Sequence, residues 1–332
     1  MNNSDGSKNY SLVYRKELRK IESRIAKLFL KRKPGSLYEP CSYVISSGGK
    51  RLRPFLVLIS AKAVNGSFSK VYNAALAVEL LHNFTLVHDD IMDNSDKRRG
   101  RLTAHKKYDV NTAILAGDNL IALAYEMLLK DCDDNSKNVV STFTRAVIEV
   151  CEGQSLDKDF ELRKSVGIKE YKEMIYKKTA ALAEMCCSIG AQLGGGNNTE
   201  IKALENFGKN LGMAFQIQDD LLDITADEKQ LGKPVGGDLL EGKKTYLFLR
   251  ALEKSKGNDK KLLQAVIKNK GIKKEEIKIY KDLYERLNIL TDAKKEIIHY
   301  TDSAIKELNK LPNEEGKALL NWLANSLIDR NK

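Results

Sequence analysis

No proline stands between Pro54 and Pro234 in a chain of 332 residues. A loop-rich or all-β protein does not leave so long a span without that residue, because proline punctuates turns and edge strands and breaks helices. Within the gap, apolar residues recur at three-to-four spacing: Leu76, Val78, Leu80, Leu81 and Phe84, then the stretches 115–129, 139–156 and 171–193. That is the period of helices with a buried face. Short polar or glycine-bearing breaks at 131–136, 166–167 and 194–198 separate them. The reading is all-α, about ten or more helices in number, with no composition shift that marks a linker. One large helical bundle follows. A hydrophobic share of 42% beside a charged share of 30% gives it ample core.

Two aspartate clusters of the same form end apolar helical stretches: Asp89-Asp90-Ile91-Met92-Asp93 and Asp219-Asp220-Leu221-Leu222-Asp223. Three carboxylates within five residues repel one another unless a cation holds them. Residues four apart on a helix lie about 40° from each other, so Asp89 and Asp93 share a face, as do Asp219 and Asp223. Two such faces turned toward each other would make a hard, all-oxygen site. That suits magnesium, which takes one or two carboxylates, keeps waters and completes its shell with phosphate oxygens. One cluster alone could be an acidic helix end; the repeated spacing favours the metal.

Cations and glycines stand beside these carboxylates. The loop Gly48-Gly49-Lys50-Arg51-Leu52-Arg53-Pro54 lacks the spacing of a P-loop. Its glycines nevertheless let backbone N–H groups approach an anion, and Lys50 and Arg53 offer charge-assisted hydrogen bonds. Arg98 and Arg99 follow the first cluster where its helix should end, so both could fold back over a metal-held ligand. His82 lies about 20° from Asp89 on the helical wheel and could reach the same ligand, whereas His88 is turned about 100° away. A competing di-iron reading rests on Glu79-x-x-His82 and Glu296-x-x-His299. It leaves the aspartates, the arginine pair and the glycine loop unexplained.

The net charge of +11 invites a nucleic-acid reading, but the excess lies largely in the C-terminal third. There, as at 268–274, lysines alternate with acids on solvated helix faces without aromatic interleaving or a recognition motif. Nucleic acid is excluded as a partner; attraction of small polyanions is not. The five cysteines form no C-x-x-C pair and read as free thiols. No stretch is expected to span a membrane, and the polar start has no signal-peptide core. The expected location is the cytoplasm, with residues 1–10 disordered.

Taken together, DDIMD with Arg98-Arg99-Gly100 after it, DDLLD preceded by Phe215-Gln216-Ile217-Gln218, and GGKRLRP resemble the head-to-tail trans-prenyltransferases, the polyprenyl diphosphate synthases. Gly153-Gln154-Ser155-Leu156-Asp157, Lys178-Thr179 and the loop from Gly232-Lys233 to Lys243 extend the resemblance over about residues 40 to 250. After that only helical character and Arg330 remain. The resemblance implies an isoprenoid synthase fold, one polyprenyl synthase domain over 11–332 around a central cavity, and a homodimer. It also implies three magnesium ions, two on Asp89 and Asp93 and the third on Asp219 with help from Asp223. Arg98, Lys178 and Lys233 would bind the allylic diphosphate, with Lys243 a further substrate-binding residue. Lys50, Arg53, His82 and Arg99 would bind isopentenyl diphosphate. Thr179 and Gln216 would line the reacting end beside Lys178, the three taken as catalytic. Asp90 and Asp220 point off the main face and would support their neighbours.

Product length depends on cavity depth, since one helical turn of about 5.4 Å matches one extended isoprene unit. The family places an aromatic limiter five residues before the first aspartate, which is Phe84 here, although the wheel sets Phe84 about 140° from Asp89. The wheel itself nominates Thr85, Leu81 and Val78. A lone aromatic with Thr85 beside it resembles the geranylgeranyl type, with farnesyl or longer-chain synthases as alternatives. The allylic primer would be dimethylallyl, geranyl or farnesyl diphosphate. A terpene cyclase would not need the Lys50 and Arg53 site, and a non-catalytic synthase subunit should have lost aspartates that are all present.

Overall fold

The computed structural model describes residues 3–226 and 235–328, with side chains from residue 9 onward. Its helices are α1 (Asn3–Leu28), α2 (Gly35–Ile45), α3 (Leu52–Ala63), α4 (Tyr72–Met92), α5 (Ala104–Lys107), α6 (Val110–Leu129), α7 (Ser136–Leu162), α8 (Ile168–Ile175), α9 (Ala181–Gly194) and α10 (Asn198–Thr225). Helices Gly237–Leu240, Tyr246–Lys254, Gly257–Asn269, Ile277–Arg286, Ile289–Glu307 and Glu314–Ile328 follow. The all-α expectation holds. Helix α1 starts at Asn3, however, within the stretch expected to be disordered. That stretch is polar but holds no proline to stop a helix.

The chain forms two compact units, each assembled from separated segments. The first takes the chain up to Val147, Ala183–Glu205 and Glu307–Trp322; the second takes Ile148–Leu182, Asn206–Lys306 and the chain from Leu323 onward.

In the first unit, α4 is buried around most of its circumference, with Val78, Leu80 and Leu81 wholly inaccessible. That is why its sequence is apolar beyond a single stripe. Its N-terminus has no cap of its own; the Asp131 carboxylate supplies one, accepting from the Ala74 N–H at 2.8 Å and the Asn73 amide at 2.7 Å. Helix α6 packs along α4 and starts at Asp109, whose side chain accepts from the Thr112 N–H. Gly117 permits the close crossing, since a Cβ there would lie 2.4 Å from the His88 ring.

By length and composition alone, helix α6 (Val110–Leu129) is long and apolar enough to cross a membrane, and 44% of its most apolar window is buried within this structure. Its residues serve the packing against α4 and α2.

Helix α4 ends at the first aspartate cluster. Asn94 takes a left-handed φ of 48°, which stops the helix. A two-stranded antiparallel ribbon follows, with Lys97 opposite Leu102 and Arg98 opposite Arg101. Arg99 and Gly100 between the strands have φ of 52° and 76°, the two positive values of a tight hairpin turn.

The second unit buries Tyr171, Tyr246, Phe248, Leu263 and Tyr284 in one core. Between α8 and α9 the chain makes a π-helical turn, Tyr176–Ala180. Gly153 on α7 faces that turn so closely that a Cβ would lie 2.3 Å from the Lys178 nitrogen.

Candidate active site

In each cluster the first aspartate is accessible and the second is not. Asp89 is half-buried and Asp93 exposed at the end of α4, while Asp90 is 5% exposed. Arg98 folds back from the ribbon and grips Asp90 through Nε at 2.9 Å and through its terminal nitrogen at 2.8 Å. In the second cluster Asp219 is exposed and Asp220 is 4% exposed. Asp220 accepts from the Tyr171 hydroxyl, from the Gln216 amide at 3.1 Å and from the Tyr246 N–H at 2.9 Å. Burial pushes the Asp220 carboxyl up to about 6, against the lowering effect of those three donors. The middle aspartates are therefore internal acceptors, as the helical wheel placed them.

Asp223 departs from its counterpart Asp93. It is 3% exposed and accepts from the Asp238 N–H at 3.1 Å, at the start of the helix Gly237–Leu240.

Among the described residues no three His, Cys, Asp or Glu side chains converge on one point. Helical geometry explains this, because the middle carboxylate of each cluster is turned inward. The outward carboxylates Asp89 and Asp93 in the first unit, and Asp219 in the second, are each hard oxygen donors of the kind magnesium takes one or two of, with water and phosphate completing its shell. The di-iron reading does not fit. Glu79 is ion-paired with Arg51 at 2.5 Å and Glu296 with Lys172 at 2.5 Å.

The cations expected to bind isopentenyl diphosphate meet in the first unit. Arg53, in the first turn of α3, lies 3.3 Å from His82 Nε2 on α4. Arg99 reaches the glycine loop, donating to the Gly48 carbonyl and to Ser47 Oγ at 3.3 Å. Lys50 is exposed on that loop, and its carbonyl accepts from the Tyr14 hydroxyl. Two buried nitrogens here, Arg53 Nε and His82 Nδ1, have no hydrogen-bond partner. Burial, together with Arg53, Arg99, Arg98 and Arg51, drives the His82 imidazole well below its ordinary range. The buried Arg53 Nε thus leaves an unused donor in a strongly positive field, which an anion could satisfy.

The second unit gathers another set. Lys178, on the π turn, is 2.5 Å from Asp157 of α7. Thr179 donates to Gln216 at 2.9 Å, and Gln216 donates in turn to Asp220. Thr179 and Gln216 thus form a hydrogen-bonded chain leading to Asp220 of the second cluster, while Lys178, next to Thr179 on the π turn, pairs separately with Asp157. Lys243 pairs with Glu241 at 2.7 Å. Burial lowers its affinity for a proton, but Glu241, Asp238 and Asp157 outweigh that and hold the ammonium charged. Lys233 and Arg330 lie outside the described residues.

Among the chain-length candidates, Val78 and Leu81 are fully buried. Thr85, nearly so, ties its hydroxyl to the His82 carbonyl at 2.8 Å. Phe84 is half-buried and meets the His88 ring edge-on at 4.7 Å, on the side of α4 that faces Gly117. A shallow open pocket in this unit is lined by Asn83, Leu86, Val87, Asp90 and Arg98 among others, and by none of the four.

Two supporting residues escaped the sequence reading. Arg51, counted there only among the loop cations, turns its whole side chain inward. Tyr171, read only as an apolar position, is the hydroxyl donor to Asp220. Its place in the apolar pattern gave no sign of that, since a buried tyrosine hydroxyl needs a partner that only the fold supplies.

A family model described as Polyprenyl synthetase matches residues 34–286. A geranylgeranyl diphosphate synthase of Sulfolobus acidocaldarius is 42% identical over 315 residues, covering 93% of this chain and 95% of that protein. Another, of Saccharolobus solfataricus, is 40% identical and covers 98% of this chain and 99% of its own. The crystal structure of geranylgeranyl pyrophosphate synthetase from Pyrococcus horikoshii Ot3 matches with a TM-score of 0.91 at 37% identity, over 97% of this chain and 98% of that one. These matches and the helical fold define a trans-prenyltransferase of the short-chain kind. The chain belongs to the polyprenyl synthetase family.

Proposed function

We propose that this enzyme condenses isopentenyl diphosphate head-to-tail with an allylic diphosphate and stops at geranylgeranyl diphosphate. The observation that carries the two-substrate reading is the cluster of Arg53, His82 and Arg99 around the glycine loop. An enzyme that ionises a single diphosphate, such as a terpene cyclase, has no use for a second anion site. The names of the reported relatives and the lone aromatic Phe84 support the product length.

Asp89, Asp93 and Asp219, with Asp223, are the proposed holders of magnesium, three ions in all. Bound there, magnesium would supply the electrophile that draws charge onto the departing diphosphate. Arg98, Lys178 and Lys233 take the allylic diphosphate, with Lys243 beside the same loop. For Arg98 this means exchanging Asp90 for phosphate oxygens, which its fork geometry permits. Lys50, Arg53, His82 and Arg99 orient isopentenyl diphosphate. Thr179 and Gln216 present dipoles to the reacting end, where positive charge develops as the allylic C–O bond breaks. The double bond of isopentenyl diphosphate then attacks that carbon, and the diphosphate released can accept the proton that is lost. Water must be kept out, which apolar neighbours such as Leu81 serve.

The chain is proposed to work in the cytoplasm as a homodimer. Exposed Val110, Ile114, Leu115 and Leu129 on α6 are apolar surface of the kind a second copy would cover. Incubation with labelled isopentenyl diphosphate and each of the three primers, followed by chromatography of the dephosphorylated product, tests the reading. A twenty-carbon alcohol is expected; a cyclic hydrocarbon or no extension would refute it.

A further inference from the structure

Arg51 stands between the two loop cations assigned to isopentenyl diphosphate, yet its side chain is fully buried. Its backbone takes a left-handed φ of 48° as it enters α3, so the side chain runs inward while its neighbours do not. The guanidinium serves three separate elements. It donates to Glu22 of α1 at 2.7 Å, to Glu79 of α4 at 2.5 Å and to the Ile45 carbonyl at the end of α2 at 2.6 Å. Each of its three nitrogens is thus engaged inside the protein, and the side chain is fully buried.

Glu79 is the informative partner. It lies one helical turn before His82, and Asn83 donates to it at 3.2 Å. It is 2% exposed, so its carboxylate must find a cation inside the protein. Arg53, which sits against His82, has an unused Nε donor and would accept that role. Glu79 already favours the charged forms of Arg53 and Arg99 from where it stands.

We propose that Arg51 is a positioning residue that holds the Glu79 carboxylate out of the isopentenyl diphosphate site, leaving Arg53 and His82 open to the incoming anion. This rests on the assignment of the glycine loop to isopentenyl diphosphate and gives its third cation a role distinct from binding. Without Arg51, Glu79 becomes an internal competitor for Arg53. The substrate must then displace a carboxylate as well as water.

The test is a set of steady-state measurements in which each substrate is varied in turn. Arg51→Met should raise the KM for isopentenyl diphosphate by about tenfold or more, the scale of one charge-assisted hydrogen bond. The KM for the allylic primer should stay within about twofold of the parent, well below that scale. Adding Glu79→Gln to Arg51→Met should restore most of the loss, because the competing charge is gone. Glu79→Gln alone should be mild, since Arg51 keeps Glu22. A merely structural role predicts the reverse, a double variant no better than Arg51→Met and both KM values moved together; either result overturns the proposal. If Arg51→Met does not fold, Arg51→Lys carries the test. A single ammonium cannot reach all three acceptors, so a smaller rise that Glu79→Gln reverses is expected. An unchanged KM, or a rise that is not reversed, overturns the proposal. Lys50→Ala separates the underlying assignment: if it leaves the KM for isopentenyl diphosphate unchanged, the loop does not bind that substrate and the proposal falls with it.

Discussion

Asp90 and Asp220 carry the same lesson in two places. A carboxylate in a cluster of three is not interchangeable with its neighbours, because a helix turns each about 100° from the next. The inward member of each cluster meets donors from the protein, Arg98 in one case and Tyr171, Gln216 and a backbone N–H in the other. The sequence wheel separates these roles without any knowledge of the partners. His82 adds a testable electrostatic consequence. Its buried ring and the arginines around it favour the neutral imidazole in the folded state, so its folded pKa lies well below 6.5. The resulting stabilisation is complete above the unfolded value of about 6.5 and is lost as pH falls through the folded value. Urea unfolding at a series of pH values should show stability declining as pH falls from about 6.5 toward that folded value, and His82→Gln should flatten the decline. An identical slope in both proteins would show that His82 takes a proton as readily folded as unfolded.

Among the elements, what the chain's own periodicity encodes was readable and what depends on distant partners was not. Helices α4, α6 and α7, and the stretch 171–193 that the structure divides between α8, the π turn and α9, follow from three-to-four apolar spacing within the proline-free span. The ribbon at 97–102 was missed because strands of two residues are too short to show a period, although Arg99-Gly100 held the turn signal. The Asp131 cap on α4 joins residues 57 positions apart, and nothing local announces it. The π turn was likewise invisible, yet Gly153 makes it testable. Gly153→Ala would force a Cβ against the Lys178 backbone, and overpacking of this kind costs about 1–3 kcal/mol. Because the displaced turn carries Lys178 and Thr179, turnover should fall far more than thermal stability at a temperature where the variant is folded. Wild-type turnover in Gly153→Ala would mean the turn's position does not matter to the chemistry. On α4, Phe84→Ala should lengthen the product by one or more isoprene units, and Thr85→Phe should shorten it to farnesyl diphosphate. Opposite shifts through volume alone cannot come from general damage. Unchanged product profiles in both active variants would assign chain length to residues other than Phe84 and Thr85.

For the whole molecule, fold class and family were legible early, because the motifs are local strings and helices dominate the described chain. The division into two compact units was not, since each unit recruits separated stretches of sequence and no linker marks the passage. Which apolar residues of α6 are buried and which, such as Leu115, are exposed likewise needed the structure. The two aspartate motifs lie one in each unit, Asp89 with Asp93 in the first and Asp219 with Asp223 in the second. We propose that both are required to hold metal for the ionisation step. Turnover of Asp219→Ala with saturating substrates across a magnesium titration tests it most directly. The variant should be folded, because Asp219 is exposed, and slower by several orders of magnitude at every magnesium concentration. Near-normal turnover in Asp219→Ala would mean that the second motif is not needed to hold the metal.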